Sequence, residues 1–292
     1  MRILVTGSAG FIGRHLSAAL REHYPGASLC KIDLVESEDC LEWFREDHPF
    51  DLVFHCAATV GGREGIDYNA AMLAAQNMQM DGALFEWALR TRPGRVVYFS
   101  SAAAYPVQFQ LAHDQLFEDD IDLECSSGRP DNTYGWVKLM GEIVAERVRA
   151  AGVKVSVVRP FSSYDYDQDD CYPFPQFMRR AAERQNPFAV WGDGKQVRDW
   201  IHVDDLVGAV LTMVDDEIDG PVNLGTGIGT SMDDLARLAM AQAGYEAPIE
   251  HLWEKPMGVK YRVADNTLMR SFYEPKISIE EGVERALALV RV

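Results

Sequence analysis

Three glycines spaced Gly-x-x-Gly-x-x-Gly, at Gly7, Gly10 and Gly13, follow the apolar run Arg2–Thr6 and open a helical pattern over Phe11–Glu22. No other stretch restricts the fold as much. A strand that turns into a helix within a few residues needs one glycine at the turn. A second lets backbone amides approach a ligand, and a third lets the helix settle on the sheet. The helix N-terminus then carries unsatisfied N–H groups and the positive end of a dipole, which suits a pyrophosphate. The spacing alone is also compatible with a tight turn that binds nothing. Asp33 argues for a nucleotide, because it ends the next apolar run, Ser28–Asp33. A carboxylate there accepts hydrogen bonds from adenosine ribose hydroxyls and repels a 2′-phosphate. No lysine or arginine immediately follows it, which favours NAD over NADP.

Short apolar runs at Leu52–Cys56, Val96–Ser100 and Val155–Arg159 alternate with helical patterns at Cys40–Asp47, a long one ending near Arg90, and Tyr134–Ala151. That alternation predicts βαβ units. Beyond Arg159 prolines break up shorter elements, with helices expected at Val203–Val214, Ser231–Ala243 and Ile279–Leu289. The expected fold is α/β: a Rossmann-type doubly wound parallel sheet with a smaller C-terminal substrate-binding region. Residues 1–160 form the NAD-binding part, some of its sheet strands coming from later segments, and residues 161–292 bind mainly the substrate. No uninterrupted apolar run is long enough to cross a bilayer. A formal charge of −17 argues against nucleic acid or an anionic membrane as partner. It leaves room for an anionic small ligand, with Arg159, Arg198 and Arg262 as local positive charges. Five cysteines without paired spacing point to reduced thiols in a cytoplasm. No metal site is expected.

Tyr134 and Lys138 carry the second chemical signal. On a helix, residues four apart share a face, so phenol and ammonium can address one reacting group. A neighbouring ammonium is expected to pull the tyrosine below its ordinary value and make it a general base. A serine pair, Ser100 and Ser101, ends the strand upstream. The set points to hydride chemistry on a carbinol.

Gly7-Ser8-Ala9-Gly10-Phe11-Ile12-Gly13, His55-Cys56-Ala57-Ala58, Asn77, Ser100-Ser101 and Tyr134-x-x-x-Lys138 together resemble the extended short-chain dehydrogenase/reductases, in their NAD-dependent nucleotide-sugar epimerase/dehydratase branch. The likeness continues through Arg159-Pro160, Val190–Asp199, His202–Asp205, Asn223–Gly225 and Arg262–Asp265, covering essentially the whole chain. The resemblance implies that Ser101 hydrogen-bonds the sugar hydroxyl that becomes a ketone, that Tyr134 takes its proton, and that Lys138 holds the nicotinamide ribose. It places Gly7, Gly10, Phe11, Ile12, Gly13, Asp33, Ala57, Ala58, Asn77, Ser100 and Pro160 around NAD, together with the catalytic Tyr134 and Lys138. Asp39 is a further candidate on the adenine side, against a solvated acidic loop. Arg198 and Arg262 are implied to clamp the diphosphate. Trp191 is placed near the nucleotide base, and Ser162 stands where the family usually has an asparagine facing the phosphate or base. His55 is assigned a brace for the cofactor loop, and His202 a packing role. Relatives often dimerise through helices matching the one ending near Arg90 and Tyr134–Ala151, so a homodimer is expected.

Departures from the family pattern narrow the reaction. Dehydratases of this branch carry Asp-Glu directly after the catalytic Ser/Thr, where this chain has Ala102 and Ala103. The likeness is nearest to the GDP-mannose 3,5-epimerases, through Val60-Gly61-Gly62, Ser100–Pro106, Trp191–Gly194 and Gly258–Arg262. That family uses a cysteine–lysine pair, and alignment puts Ala103 and Tyr172 at those positions. Cys171 beside Tyr172 reads as an inert buried thiol, and Glu64 as a loop carboxylate that either meets the sugar or is solvated. The expected activity is NAD-dependent C4 inversion of a nucleotide-diphosphate sugar through a transient 4-keto sugar, which needs no further acid or base. Dehydratase, reductase or 3,5-epimerase activity are the alternatives within the branch. A non-catalytic NAD-binding regulator is the alternative from another class.

Overall fold

The computed structural model describes residues 1–34, 38–63, 68–111, 114–123 and 128–290, with backbone only at 38–41. Asp39, as a side chain, and Glu64 lie outside the described residues. The strands are β1 (Arg2–Thr6), β2 (Ser28–Ile32), β3 (Leu52–His55), β4 (Arg95–Phe99), β5 (Val155–Pro160), β6 (Ser162–Tyr164), β7 (Phe188–Trp191), β8 (Val197–His202), β9 (Val222–Leu224), β10 (Gly229–Ser231), β11 (Ile249–Leu252) and β12 (Tyr261–Arg262). The α-helices are α1 (Phe11–His23), α2 (Ala70–Thr91), α3 (Thr133–Ala150), α4 (Pro173–Ala182), α5 (Val203–Asp215), α6 (Met232–Gln242), α7 (Thr267–Arg270) and α8 (Ile279–Leu289).

Six strands form one parallel sheet in the order β2-β1-β3-β4-β5-β9, so a segment from beyond residue 220 completes it. This is the doubly wound sheet of Rossmann type. Strand order reverses at β1, with β2 on one side and β3 on the other, and ligands of such sheets sit at the carboxyl ends beside that point. The stretch read as a helix over Cys40–Asp47 is a 3₁₀ helix at Glu38–Arg45, which leaves β2 at the sheet edge.

Each face of the sheet buries its own core. Leu16, Leu20, Leu206 and Val210 from α1 and α5 cover one face; Leu84, Trp87, Ala145 and Val148 from α2 and α3 cover the other. A third core gathers Phe174, Phe177, Trp200, Leu235 and Val283, where α4, α6 and α8 meet. Beside it, β8 pairs in parallel with β6 and β12 and antiparallel with β10, while β7 pairs with β11. Among the described residues, no helix is long and apolar enough to cross a membrane.

Candidate active site

Gly7 has φ +68°, and a Cβ there would lie 2.6 Å from the Ala57 backbone. A Cβ on Gly13 would lie 2.0 Å from the Gly7 carbonyl oxygen. Both glycines are therefore enforced by backbone approach: β1 turns against the end of β3, and α1 packs directly on the turn. The N-cap of α1 is Gly10, with no side-chain cap and no acidic residue in the first turn. Its N–H groups and dipole thus face the adjoining cavity uncompensated, which favours an anion. Asp33 accepts hydrogen bonds from Ser8 Oγ and the Ala9 N–H, both at 2.9 Å, so its carboxylate is fixed at the end of β2. This cradle fits the pyrophosphate and ribose of a dinucleotide.

A long cavity runs from that turn across the sheet ends to the C-terminal strands. Gly7, Gly10, Phe11, Ile12, Gly13, Ala58, Ser100, Ser101, Tyr134, Pro160, Ser162, Trp191, Arg198 and Arg262 all line it. Ala57 and Asn77 stand behind the wall. Ala57 is buried against Gly7, and buried Asn77 holds both the N–H and the carbonyl of Thr59, at 3.0 and 2.8 Å. His55 braces the same region from beneath, with Nδ1 2.8 Å from Thr6 Oγ1. His202 caps α5, accepting from the Asp204 N–H at 3.1 Å.

Local structure explains the serine–tyrosine arrangement. Ser101 opens a 3₁₀ turn over Ala102–Ala104, and its oxygen accepts from the Ala103 N–H at 3.1 Å. Its hydroxyl proton is left to donate elsewhere. Asn132 caps α3 through the Gly135 N–H at 2.9 Å, which puts Tyr134 in the first turn and Lys138 and Glu142 below it on the same face. A Cβ on Gly135 would lie 2.2 Å from the Ala103 carbonyl, so helix and turn are pressed together. Ser101 hydrogen-bonds Tyr134 and lowers its pKa, but burial, followed by the charge of Asp81, raises the phenol above its ordinary range. The expected depression by Lys138 is therefore not the balance found. Lys138 is 1% exposed and lies under the cavity floor, with Asp81 Oδ1 3.9 Å from its ammonium.

Ser100 and Arg159 have structural tasks. The Ser100 hydroxyl donates to Glu142, and Arg159, also 1% exposed, pairs with the same carboxylate at 2.7 Å. Arg159 is thus withdrawn from any ligand, contrary to its expected place among the charges available to an anion. Glu142 escaped the sequence reading because its partners lie on β4 and β5.

At the far end, β12 pairs with β8 so that Arg262 and Arg198 are direct neighbours. Asp199 fixes the surrounding loops, accepting from Thr226 N, Gly227 N and Ala264 N at 2.8–3.1 Å. Arg63 joins the two arginines from the Gly61-Gly62 loop, donating to Asp131 Oδ2 at 2.8 Å, while Arg262 Nη2 lies 3.5 Å from the same oxygen. Burial lowers Arg198, and the like charges of Arg262 and Arg63 lower it further against the pull of Asp131. Arg262 is likewise lowered, by burial first. Three guanidinium groups thus gather near one carboxylate that pairs with Arg63 and Arg262, while Arg198 donates to the carbonyls of Val197 and Met257, an excess of positive charge in a chain whose net charge is −17. Neither Arg63 nor Asp131 was picked out from sequence. Their positions, after a Gly-Gly pair and before a helix cap, were the available signals.

Known proteins share this organisation. The chain is 28% identical to GDP-mannose 3,5-epimerase 1 of Oryza sativa subsp. indica, over 97% of this chain and 80% of that one. It is 30% identical to dTDP-4-dehydro-6-deoxy-D-allose reductase of Streptomyces bikiniensis, over 97% and 94%. Among solved structures, UDP-glucose 4-epimerase of Thermotoga maritima with UDP-glucose superposes with a TM-score of 0.82 at 26% identity, covering 99% of this chain and 98% of that one. The model of the NAD dependent epimerase/dehydratase family matches residues 3–225, well over half the chain. On that match, and with a glycine turn whose backbone leaves room for nothing larger, the chain belongs to the NAD dependent epimerase/dehydratase family and its cofactor is NAD.

Proposed function

We propose that this protein inverts C4 of a nucleotide-diphosphate sugar through a transient 4-keto sugar. One observation supports this choice over the other chemistries of the family: among the described residues lining the cavity, Tyr134 has no second base beside it. Ala102 and Ala103 are the two residues after Ser101, and both are buried in a tight turn. The Cys171 thiol is pushed up to about 12 by burial and by Asp169, so it stays protonated at neutral pH. Tyr172 is raised by burial as well. The carboxylate of Asp131 is engaged by Arg63.

Bound NAD supplies reversible hydride exchange at the carbinol carbon. The residues proposed to hold it are those of the glycine turn, with Asp33 on the ribose and Ala58, Ser100 and Pro160 along the wall. Ser101 hydrogen-bonds the reacting sugar hydroxyl, and Tyr134 takes its proton and later returns it. Lys138 holds its charge beside the phenol from below. Arg198, Arg262 and Arg63 bind the diphosphate, and Trp191, with Lys255 Nζ 4.9 Å from its ring centroid, lies on the side taken for the base. On this reading, residues after Pro160 supply most of the nucleotide-sugar contacts.

The assembly is proposed to be a homodimer. α2 and α3 pack side by side and leave Met72, Met78, Trp136 and Met140 exposed, an apolar face that a second copy would cover.

Turnover of candidate nucleotide sugars in heavy water tests the reaction. C4 inversion leaves carbon-bound hydrogens unexchanged, whereas 3,5-epimerisation introduces deuterium at C3 and C5 and dehydration releases a deoxyketosugar. Deuterium at C5 would overturn the proposal. Tyr134→Phe is expected to lose ~10²–10⁴-fold in turnover, the contribution of a positioned general base.

A further inference from the structure

Lys138 faces a carboxylate that belongs to none of the family motifs described above. Asp81 lies on α2, four residues after Asn77, with Oδ1 3.9 Å from the Lys138 ammonium. The two side chains are 7% and 1% exposed. Asp81 is held on both oxygens: Oδ2 accepts from the Tyr98 hydroxyl at 2.6 Å, and Oδ1 lies 3.1 Å from His55 Nε2. Burial keeps His55 neutral, so its ring carries one N–H. Placing that N–H on Nε2 satisfies the carboxylate and leaves Nδ1 to accept from Thr6. The contacts therefore run from α3 through α2 to the last residue of β1, immediately before Gly7.

Asp81 from α2, Ser101 and Tyr98 from the end of β4, and Tyr172 from the start of α4 act on the Tyr134 phenol. Lys138 and Glu142 share its helix, while His55 from β3 lies behind Asp81 and Cys56, held as a thiol by burial, lines the cavity at the end of β3. Glu142 is balanced by Arg159 at 2.7 Å, His55 is neutral, and burial holds Tyr98 and Tyr172 as phenols. The charges left to oppose one another are Lys138 and Asp81. A lone buried ammonium would draw Tyr134 strongly toward phenolate, but one paired with a carboxylate does so far less.

We propose that Asp81 is a positioning residue that works through Lys138: it fixes the ammonium beneath Tyr134 and cancels most of its field. The phenolate fraction of Tyr134 is then kept small near neutral pH, and it is that fraction that accepts the substrate hydroxyl proton and later returns it. The inference rests on the reading of Tyr134 as the group that exchanges the substrate proton.

The test follows the ¹³Cζ resonance of Tyr134 in NAD-loaded, tyrosine-labelled protein from about pH 6 to about pH 11, across the range of perturbed tyrosines. Its loss in Tyr134→Phe assigns the signal. Asp81→Asn is expected to move phenolate formation down by about one pH unit or more, a tenfold rise in phenolate at fixed pH. The acid limb of the kcat/KM profile should move the same way, and Asp81→Glu should restore both. An unchanged or higher midpoint in Asp81→Asn overturns the proposal, as does lower turnover at every pH without displacement of the limb. Should Asp81→Asn fail to fold, Asp81→Asn/Lys138→Gln replaces one neutral pair by another and is expected to keep the parent midpoint. A rise of about one unit or more there would show that the field of Lys138 was never cancelled. Full turnover by Tyr134→Phe would instead remove the general-base reading, leaving the midpoints to decide the role of Asp81.

Discussion

Glu142→Gln puts a number on the frame beneath the site. The Glu142 carboxylate is 2% exposed and faces Arg159 with Nε at 3.0 Å and Nη2 at 2.7 Å, while also accepting from the Ser100 hydroxyl. The amide keeps the shape and removes the charge. Arg159 would retain Tyr105 Oη at 2.9 Å and the Glu118 carbonyl at 2.8 Å, but both are neutral acceptors. A guanidinium left uncompensated in a closed interior costs ~3–5 kcal/mol. Against a typical total of ~5–15 kcal/mol, that is about a fifth of the stability or more. Urea unfolding should show the midpoint fall with an unchanged slope, because the surface exposed on unfolding is the same. Glu142→Leu combined with Arg159→Met should regain much of the loss, since apolar pairs of similar volume replace buried ion pairs with little penalty. Recovery should remain incomplete, because Ser100, Tyr105 and the Glu118 carbonyl lose a partner each. A loss below about 1 kcal/mol in the single variant would refute the reasoning, for it would mean the guanidinium finds other compensation.

Gly13→Ala drives a Cβ to 2.0 Å from the Gly7 carbonyl, backbone against backbone, so NAD affinity measured by calorimetry should fall tenfold or more; undiminished binding would refute the enforced contact. Arg63→Met and Arg198→Met should each raise KM for the sugar nucleotide while leaving NAD affinity unchanged. Inorganic pyrophosphate should raise the melting temperature of the parent more than that of either variant. His15 is raised by hydrogen bonding to Asp204, against burial, and by Asp167. A histidine whose folded value is raised contributes stability that is present below its unfolded value and lost as pH rises through the folded one. Thermal melts from about pH 5 to about pH 8 should therefore show the parent losing an advantage over His15→Gln, and parallel curves would refute that.

The order of elements was readable because burial of a parallel sheet imposes a strong pattern. Val155–Arg159 lies within the observed Val155–Pro160, and Ile279–Leu289 matches its helix at both ends. Glu38–Arg45 is 3₁₀ rather than α, a distinction that apolar spacing over eight residues does not make. The small sheets beyond Pro160 gave no advance signal for a related reason. β12 is two residues long and β6 and β10 are three, too short for any alternation to show. Their placement depends on partners such as Asp199, whose hydrogen bonds reach 27 residues forward to Thr226 and 65 to Ala264.

The candidate site divides along the same physical line. Side chains and glycines that line the cavity sit in compact motifs, because a ligand of fixed size demands fixed spacing along one turn or helix face. The charges that set their reactivity carry no such constraint. Asp81 reads in sequence as one of two carboxylates on a mixed helix, beside Glu86, the usual mark of a solvated position, and its burial arises from Tyr98, 17 residues away, and His55, 26 residues away. Arg63 and Asp131 are 68 residues apart and meet only because α3 and the Gly61-Gly62 loop border the same cavity. A Tyr-x-x-x-Lys spacing therefore predicts where a phenol and an ammonium stand, but not the sign of the net field at the phenol. Here burial raises Tyr134 first, and a third residue on another helix, Asp81, adds to that rise. Relatives that share the motif but place a neutral side chain at the position of Asp81 should hold the tyrosine at a lower pKa on the same backbone, because the ammonium would then act unopposed.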